Sequence, residues 1–374
     1  MDGVLTVRHR RPERSPAYSS CIVIAVTGQE STASSRVNKN VSSLTAYSAK
    51  EISCRVKLDA NESPFGFDDA LKAAGRIHTN RYPDPEAKRL VELVARDLDT
   101  AKGNILQGNG SDELIYYLMT TFGGPVLYPV PTFSMYGIIA QALDEKKTEI
   151  PLDDKFDMDL KSMIAAIKKE KPRLIFLSSP NNPTGNCFSA EGILKIIEAS
   201  PGLVVVDEAY QPFSSRRGFL PLLQDYDNLV IMRTLSKVGL AALRLGFLVA
   251  KSDIIAEVNK VRLPFNVNGL SQAVACQALK EKKKIKAFIK EIVAERRRLT
   301  TEMEKISGVR PFPSEANFIL FKVSESANVY NSLLKKGILV RNMQDAVAGC
   351  LRVTVGTRRE NDAFLRALAA VARP

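Results

Sequence analysis

The sequence predicts an α/β protein: a large domain with a mainly parallel sheet sandwiched by helices, plus a smaller α+β domain. Short apolar runs at residues 126–128, 174–177, 203–206, 229–232 and 246–249 are mostly separated by helical patterns, the alternation of a parallel sheet covered on both faces. After Pro264 the pattern changes to long helices, then apolar runs at 318–321, 338–340 and 351–355, and a closing helix from Arg359. The chain has 374 residues, 45% hydrophobic and 25% charged, which is globular and long enough for two such units.

In chain order, residues 1–40 form an atypical extension, rich in Ser, Thr and Arg and poor in acids. It reads as a disordered or misassigned start rather than an import signal, because no basic amphipathic helix emerges. Residues 41–70 form an amino-terminal segment contributing to the small domain, 71–264 the large domain and 265–374 the small one. Leu58-Asp59-Ala60-Asn61-Glu62-Ser63-Pro64 is an extended piece entering a turn, and Arg81-Tyr82-Pro83-Asp84-Pro85 is a loop before a helix. Residues 105–110 are a strand running into a glycine turn, and 111–122 the following helix, with Asp112 and Glu113 suited to its positive end.

Composition excludes several functions. No apolar run approaches the ~18 residues of a membrane helix, so a soluble, membrane-free protein is expected. Five scattered cysteines without CxxC spacing argue for a reducing, cytoplasmic setting and against a metal site or disulfide framework. Two histidines leave little room for histidine-based metal or triad chemistry. The formal charge of +12 raises nucleic acid as a partner, but much of the excess lies in the extension and in the basic stretch 280–298. There Ile285, Phe288, Ile289 and Ile292 have the spacing of one helix face, so the lysines and arginines read as its solvated side.

The chemistry gathers around Lys237, in TLSK, just after the strand at 229–232, where open α/β sheets collect ligands. An apolar, cation-rich pocket makes a lysine amine nucleophilic. Asp207 ends the apolar strand of VVDEAY, and a buried carboxylate there needs a cationic partner such as a protonated pyridine nitrogen; a helix cap is the plainer alternative. Tyr210 and Asn182, the latter in SPNNPTG, can hydrogen-bond a ring phenol. Free amides at Gly110-Ser111-Asp112, with the Ser236 hydroxyl and the Arg244 guanidinium, supply the donors a phosphate needs. Together these are the parts that hold pyridoxal phosphate. Arg341 and Arg352 each lie in or at the end of an apolar strand, costly positions unless they meet anions or internal partners.

With LDANESPFG, RYPDP, GNGSDE, PTFSMY, SSPNNPTG, VVDEAY, RTLSK, LRLGF, SEANFIL, ILVRN and CLRVTVGT in order, the chain resembles the fold-type I pyridoxal-phosphate aminotransferases, and among them the histidinol-phosphate aminotransferases. The resemblance runs from about Tyr47 to Leu368. It implies a seven-stranded-type sheet and a homodimer in which Tyr82 reaches the neighbouring cofactor's phosphate. It also implies that Lys237 carries the cofactor and moves the substrate proton, with Asp207 on the ring nitrogen, Tyr210 and Asn182 on the phenolic oxygen, and Phe133 stacked on the ring. Ser111, Asp112, Ser236 and Arg244 would bind the phosphate. Arg352 would meet the substrate carboxylate, Arg341 the substrate phosphate, Asn317 would line the site near Arg341, and Tyr47 is a further candidate for that pocket. The amino acceptor implied is 2-oxoglutarate. Arg244 follows Lys237 by seven residues, one fewer than is usual in these enzymes. An aminotransferase for aromatic or other amino acids, or a phosphothreonine-type decarboxylase, uses the same scaffold. A basic nucleic-acid binder built on it without catalysis predicts loss of cofactor residues, yet Lys237, Asp207, Tyr210, Asn182 and Arg244 are all present.

Overall fold

The structure, a computed structural model, describes residues 37–45 and 52–372. Most of the extension, and Tyr47, therefore lie outside the described residues. The strands in chain order are β1 (Val56–Leu58), β2 (Ile105–Gly108), β3 (Val126–Val130), β4 (Lys147–Pro151), β5 (Leu174–Ser178), β6 (Leu203–Asp207), β7 (Leu229–Thr234), β8 (Gly246–Val249), β9 (Val309–Pro311), β10 (Phe318–Val323), β11 (Ile338–Asn342) and β12 (Cys350–Thr354).

Seven of them form one sheet in the order β2-β8-β7-β6-β5-β3-β4. Its members run parallel except β8, which is antiparallel to both its neighbours. Alternation along the central strands decides the layering. Ile175, Leu177, Val204, Val206, Leu229 and Ile231 pack into one apolar cluster, while Leu174, Phe176, Val205, Val230, Met232 and Leu248 pack into another. Successive side chains of a strand face opposite sides, so both faces are covered by helices and the central strands read as unbroken apolar runs. Each such buried side chain contributes roughly 1.5–3 kcal/mol relative to leaving it in water. The edge strand β4 instead alternates between exposed and half-buried positions, so Lys147-Thr148-Glu149-Ile150-Pro151 carries no apolar run.

The smaller sheet has the order β1-β11-β12-β10-β9. Its core joins Phe318, Phe321, Leu351, Val353, Phe364 and Leu368 to Ile292, Leu299 and Met303, the last three from the long helix Lys282–Glu304. The closing helix Arg358–Val371 starts at a capping box formed by Thr357 and Glu360, which satisfies two of its otherwise orphaned amides.

β1 pairs with β11 of the small sheet. In the short helix Lys39–Ser42, the Asn40 side-chain amide donates to the Gln141 and Ala142 carbonyls at the end of the helix Met135–Ala142. The helix Gly269–Ala278 places Ala275 and Cys276 in the large-sheet core. The basic stretch on the helix Lys282–Glu304 departs from a wholly solvated face. Arg296 is 6% exposed and donates to the Phe213 and Ala316 carbonyls at 3.1 and 2.7 Å, tying a loop of the large unit to the smaller one.

No described helix is long and apolar enough to cross a membrane. Among the described residues no group of His, Cys, Asp and Glu could hold a metal ion, and Cys54, Cys187, Cys276 and Cys350 are free thiols.

Candidate active site

Register brings the chemistry together at one edge of the large sheet. Ser178 pairs with Asp207, Asp207 with Met232, Thr234 with Gly246 and Gly246 with Gly108. The turns after β2, β5, β6 and β7 and the segment entering β8 therefore open onto the same edge, the carboxyl end of the parallel strands, where such sheets bind ligands.

Asp207 lies at the floor, 4% exposed. Its Oδ2 accepts a hydrogen bond from the Tyr136 hydroxyl at 2.7 Å and its Oδ1 accepts one from the Ala209 amide at 3.0 Å. Burial pushes its carboxyl up to about 6, with the Tyr136 and Ala209 bonds opposing that rise. Burial and the adjoining carboxylate push the Tyr136 phenol well above its ordinary range, so it stays a donor. Asp207 forms no salt bridge with any described residue, and a buried carboxylate so placed fits a cation arriving from the open side. The half-buried Lys237 follows β7 in a short turn, Ser236–Val238. Its amine stands 5.6 Å from the centre of the Tyr210 ring.

An anion cup adjoins it. The helix Ser111–Phe122 starts at Gly110 (φ 91°) with no side-chain cap, which leaves amides at its positive end free for a ligand. Arg244 (φ 51°) donates to Asp112 at 3.1 Å. A Cβ on Gly110 would lie 2.5 Å from the Arg244 guanidinium, so glycine is what lets the cation reach the helix start. The seven-residue span from Lys237 thus delivers Arg244 to that helix through the turn Ala241–Leu243. Ser236 is buried, its hydroxyl accepting from Thr234 Oγ1 at 3.0 Å. Uncapped amides, a hydroxyl, a guanidinium, a half-buried amine and a buried carboxylate together fit pyridoxal phosphate.

The opposite wall comes from the small sheet. Arg352, 7% exposed, donates to the Asp59 carbonyl at 2.8 Å and to the Asn182 side-chain oxygen at 2.5 Å. Its guanidinium lies 5.2 Å from the Phe318 ring centre, and Phe318 meets Tyr210 edge-on at 5.1 Å. Arg352 is thus one aromatic ring away from Tyr210. Across the β11–β12 ladder, Arg352 lies directly opposite Arg341, on the same face. Like charges so placed repel unless an anion joins them. The half-buried Arg341 has no hydrogen-bond or ion-pair partner among the described residues.

The remaining candidates fall as follows. Asn182 meets Arg352, while the described partner of the Tyr210 hydroxyl is Asn61. Phe133 packs edge-on against Tyr136 at 5.6 Å. The adjoining Thr132 hydroxyl donates at 2.7 Å to Asn181, which steadies the Asn-Asn-Pro turn. Asn317 is fully buried and donates to the Asn61 carbonyl at 3.0 Å. Tyr82 is 81% exposed and stacked on Phe265. Asn61, Tyr136 and Phe318 are additional: all three sit in motifs already quoted (LDANESPFG, PTFSMY, SEANFIL), but only the fold reveals what each touches.

The profile of the family described as aminotransferase class I and II matches residues 55–368. The chain belongs to this family. The aminotransferase is 43% identical over 344 residues to a histidinol-phosphate aminotransferase of Aquifex aeolicus, covering 89% of this chain and 97% of that one. It is 40% identical over 351 residues to histidinol-phosphate aminotransferase 2 of Nitrosococcus oceani, covering 89% and 96%. Among solved structures it superposes on the histidinol-phosphate aminotransferase of Sinorhizobium meliloti in complex with pyridoxal-5'-phosphate. There the TM-score is 0.80 and the identity 27%, over 90% of this chain and 97% of that one.

Proposed function

We propose that this aminotransferase uses pyridoxal phosphate to move the amino group of L-histidinol phosphate to 2-oxoglutarate, giving imidazole-acetol phosphate and glutamate in histidine biosynthesis. The observation that carries the substrate choice is the cross-strand pair Arg341 and Arg352 on one face of the small sheet. Histidinol phosphate has its phosphomethyl group where glutamate has its α-carboxylate, so one dicationic wall serves both half-reactions.

Pyridoxal phosphate supplies the electron sink for the pair released when the substrate Cα–H bond breaks. Lys237 would hold the cofactor through its amine and, once the substrate's amine has displaced it, would be the free base that moves the proton of the substrate Cα. Asp207 would accept a hydrogen bond from the protonated ring nitrogen, and Tyr210 would donate toward the phenolic oxygen. Asn182, on this reading, orients Arg352 as well as facing the ring. Ser111, Asp112, Ser236 and Arg244 grip the phosphate, and Phe133 covers the ring.

The test is single-turnover absorption spectroscopy of the loaded enzyme with histidinol phosphate, tyrosine and glutamate supplied separately. Histidinol phosphate should change the cofactor's visible band rapidly. Arg341→Ala should lower its kcat/KM by roughly 10- to 100-fold, the worth of a charge-assisted contact, while the glutamate response is retained. A response to tyrosine but not histidinol phosphate would move the assignment to an aromatic aminotransferase. Carbon dioxide release from a phosphorylated amino acid would move it to a decarboxylase.

The functional unit is proposed to be a homodimer. Exposed Tyr82 and Phe265 stack at 4.5 Å, and Leu71, Leu263 and Leu270 are 57, 62 and 50% exposed on nearby segments, apolar surface that a second copy would cover. If Tyr82 serves the neighbouring site, Tyr82→Ala and Lys237→Ala chains are each nearly inactive alone but recover turnover when co-assembled, since one site of the mixed dimer is intact. Failure to recover in a verified mixed dimer would place Tyr82 within its own subunit's site. Among the described residues four cysteines are free, two of them buried, which supports a reducing, cytoplasmic setting.

A further inference from the structure

We infer that Asn61 is a positioning residue that aims the single proton of Tyr210. A phenol has one hydrogen to donate and two lone pairs. The Asn61 side-chain amide donates to the Tyr210 hydroxyl at 2.9 Å. Tyr210 is therefore an acceptor on that side, and its own proton is left for a different acceptor. The inference rests on Tyr210 serving the cofactor's phenolic oxygen, and it explains what keeps that proton from turning away.

Asn61 is itself held from several directions. It is 1% exposed and adopts φ 54°, a left-handed conformation that asparagine tolerates better than most residues but that still signals constraint. Its amide donates to the Thr354 hydroxyl at 2.9 Å, its carbonyl accepts from Asn317 at 3.0 Å, and its side-chain oxygen faces Thr354 Oγ1 at 3.4 Å. Thr354 ends β12 and Asn317 immediately precedes β10, so the small sheet grips Asn61 while Asn61 grips Tyr210, which follows β6 of the large sheet. With its oxygen turned to Thr354, the side chain has only its NH₂ to offer Tyr210. The charged groups around Tyr210 are Lys237 over its ring, Asp207 at the end of β6 and Arg352 across Phe318.

A donor at the phenolic oxygen stabilises negative charge there, so the visible pH transition of the bound cofactor lies lower with that donor than without it. Two variants suit the left-handed backbone: Asn61→Asp, which turns the donor into an acceptor that attracts the Tyr210 proton, and Asn61→Gly, which removes the side chain without adding charge. The experiment titrates the visible absorption of the loaded enzyme for both, for Tyr210→Phe, and for Tyr210→Phe combined with Asn61→Gly. The transition should rise by about one pH unit in each single variant, the size of one lost hydrogen bond to a charged group, and Asn61→Gly should add nothing once Tyr210 is Phe. If Tyr210→Phe shifts the transition and both Asn61 variants leave it in place while merely melting earlier, Asn61 is only structural and the inference is overturned. If Tyr210→Phe itself shifts nothing, the assignment of Tyr210 to the phenolic oxygen fails first. A rise with Asn61→Gly that persists in the Tyr210→Phe background also overturns it, because the effect then bypasses Tyr210.

Discussion

Lys237→Ala is expected to lower turnover by roughly 10⁴-fold or more, since it removes both the covalent hold on the cofactor and the group that moves the substrate proton. Lys237 is half-buried behind β7, with its amine over the Tyr210 ring. The anion cup does not depend on its side chain: Ser111, Asp112 and Arg244 hang on other backbone segments, and the adjoining Ser236 is held by Thr234. The variant should therefore still retain pyridoxal phosphate through gel filtration, with an absorption band altered because the covalent link is gone. Measured kcat and the cofactor-to-protein ratio check both halves. Turnover within tenfold of the parent would remove Lys237 from its proposed role, and loss of all cofactor would show that the cup alone is insufficient.

Asp207→Asn carries the second large effect, with opposite signs for the two forms of the protein. Burial raises the Asp207 carboxyl to about 6, above an unfolded value near 4. The folded protein therefore holds a proton that the unfolded chain releases. That contribution to stability is present below about pH 4 and is lost as pH rises through about 6. Without cofactor, the variant should melt about 2–4 °C higher than the parent above pH 6. The advantage should vanish toward pH 4, where both side chains are neutral and the substituted amide would turn its NH₂ toward one of the two donors, since Tyr136 and Ala209 reach different oxygens of Asp207. With cofactor the order reverses, because only the carboxylate can pair with a protonated ring nitrogen; kcat should fall by roughly 10²-fold or more. Thermal midpoints across pH, with and without pyridoxal phosphate, test the claim. A pH-independent difference between the cofactor-free proteins would mean that Asp207 does not titrate there.

Much of this was legible along the chain because the chemistry is attached to local signals. Lys237, Asp207 and Asn182 each follow an apolar run, and Ser111 starts a helix after a glycine turn, so strand ends in a parallel sheet predict their gathering. What escaped depends on register and on contacts between distant segments. Asn61 and Tyr210 are 149 positions apart, and Tyr136 and Asp207 are 71 apart; neither spacing has a periodicity to betray it. The opposition of Arg341 and Arg352 needs the β11–β12 pairing, which no strand states alone. The edge strand β4 lacked the apolar run that marks its buried neighbours. Arg296 looked solvated because its helix is basic on most sides, and only two carbonyls waiting at its buried position explain why a guanidinium goes inside.

The ladder that sets Arg341 against Arg352 belongs to a different sheet from the one whose edge carries Lys237, Asp207 and Arg244. On the proposed assignments, recognition of the donor and grip on the cofactor are separable parts, joined through Tyr210, Phe318 and Asn182. A change at position 341 can retune which amine is accepted while the machinery that handles it stays intact. That modularity makes the small sheet the place to begin when redirecting this scaffold to a new amine.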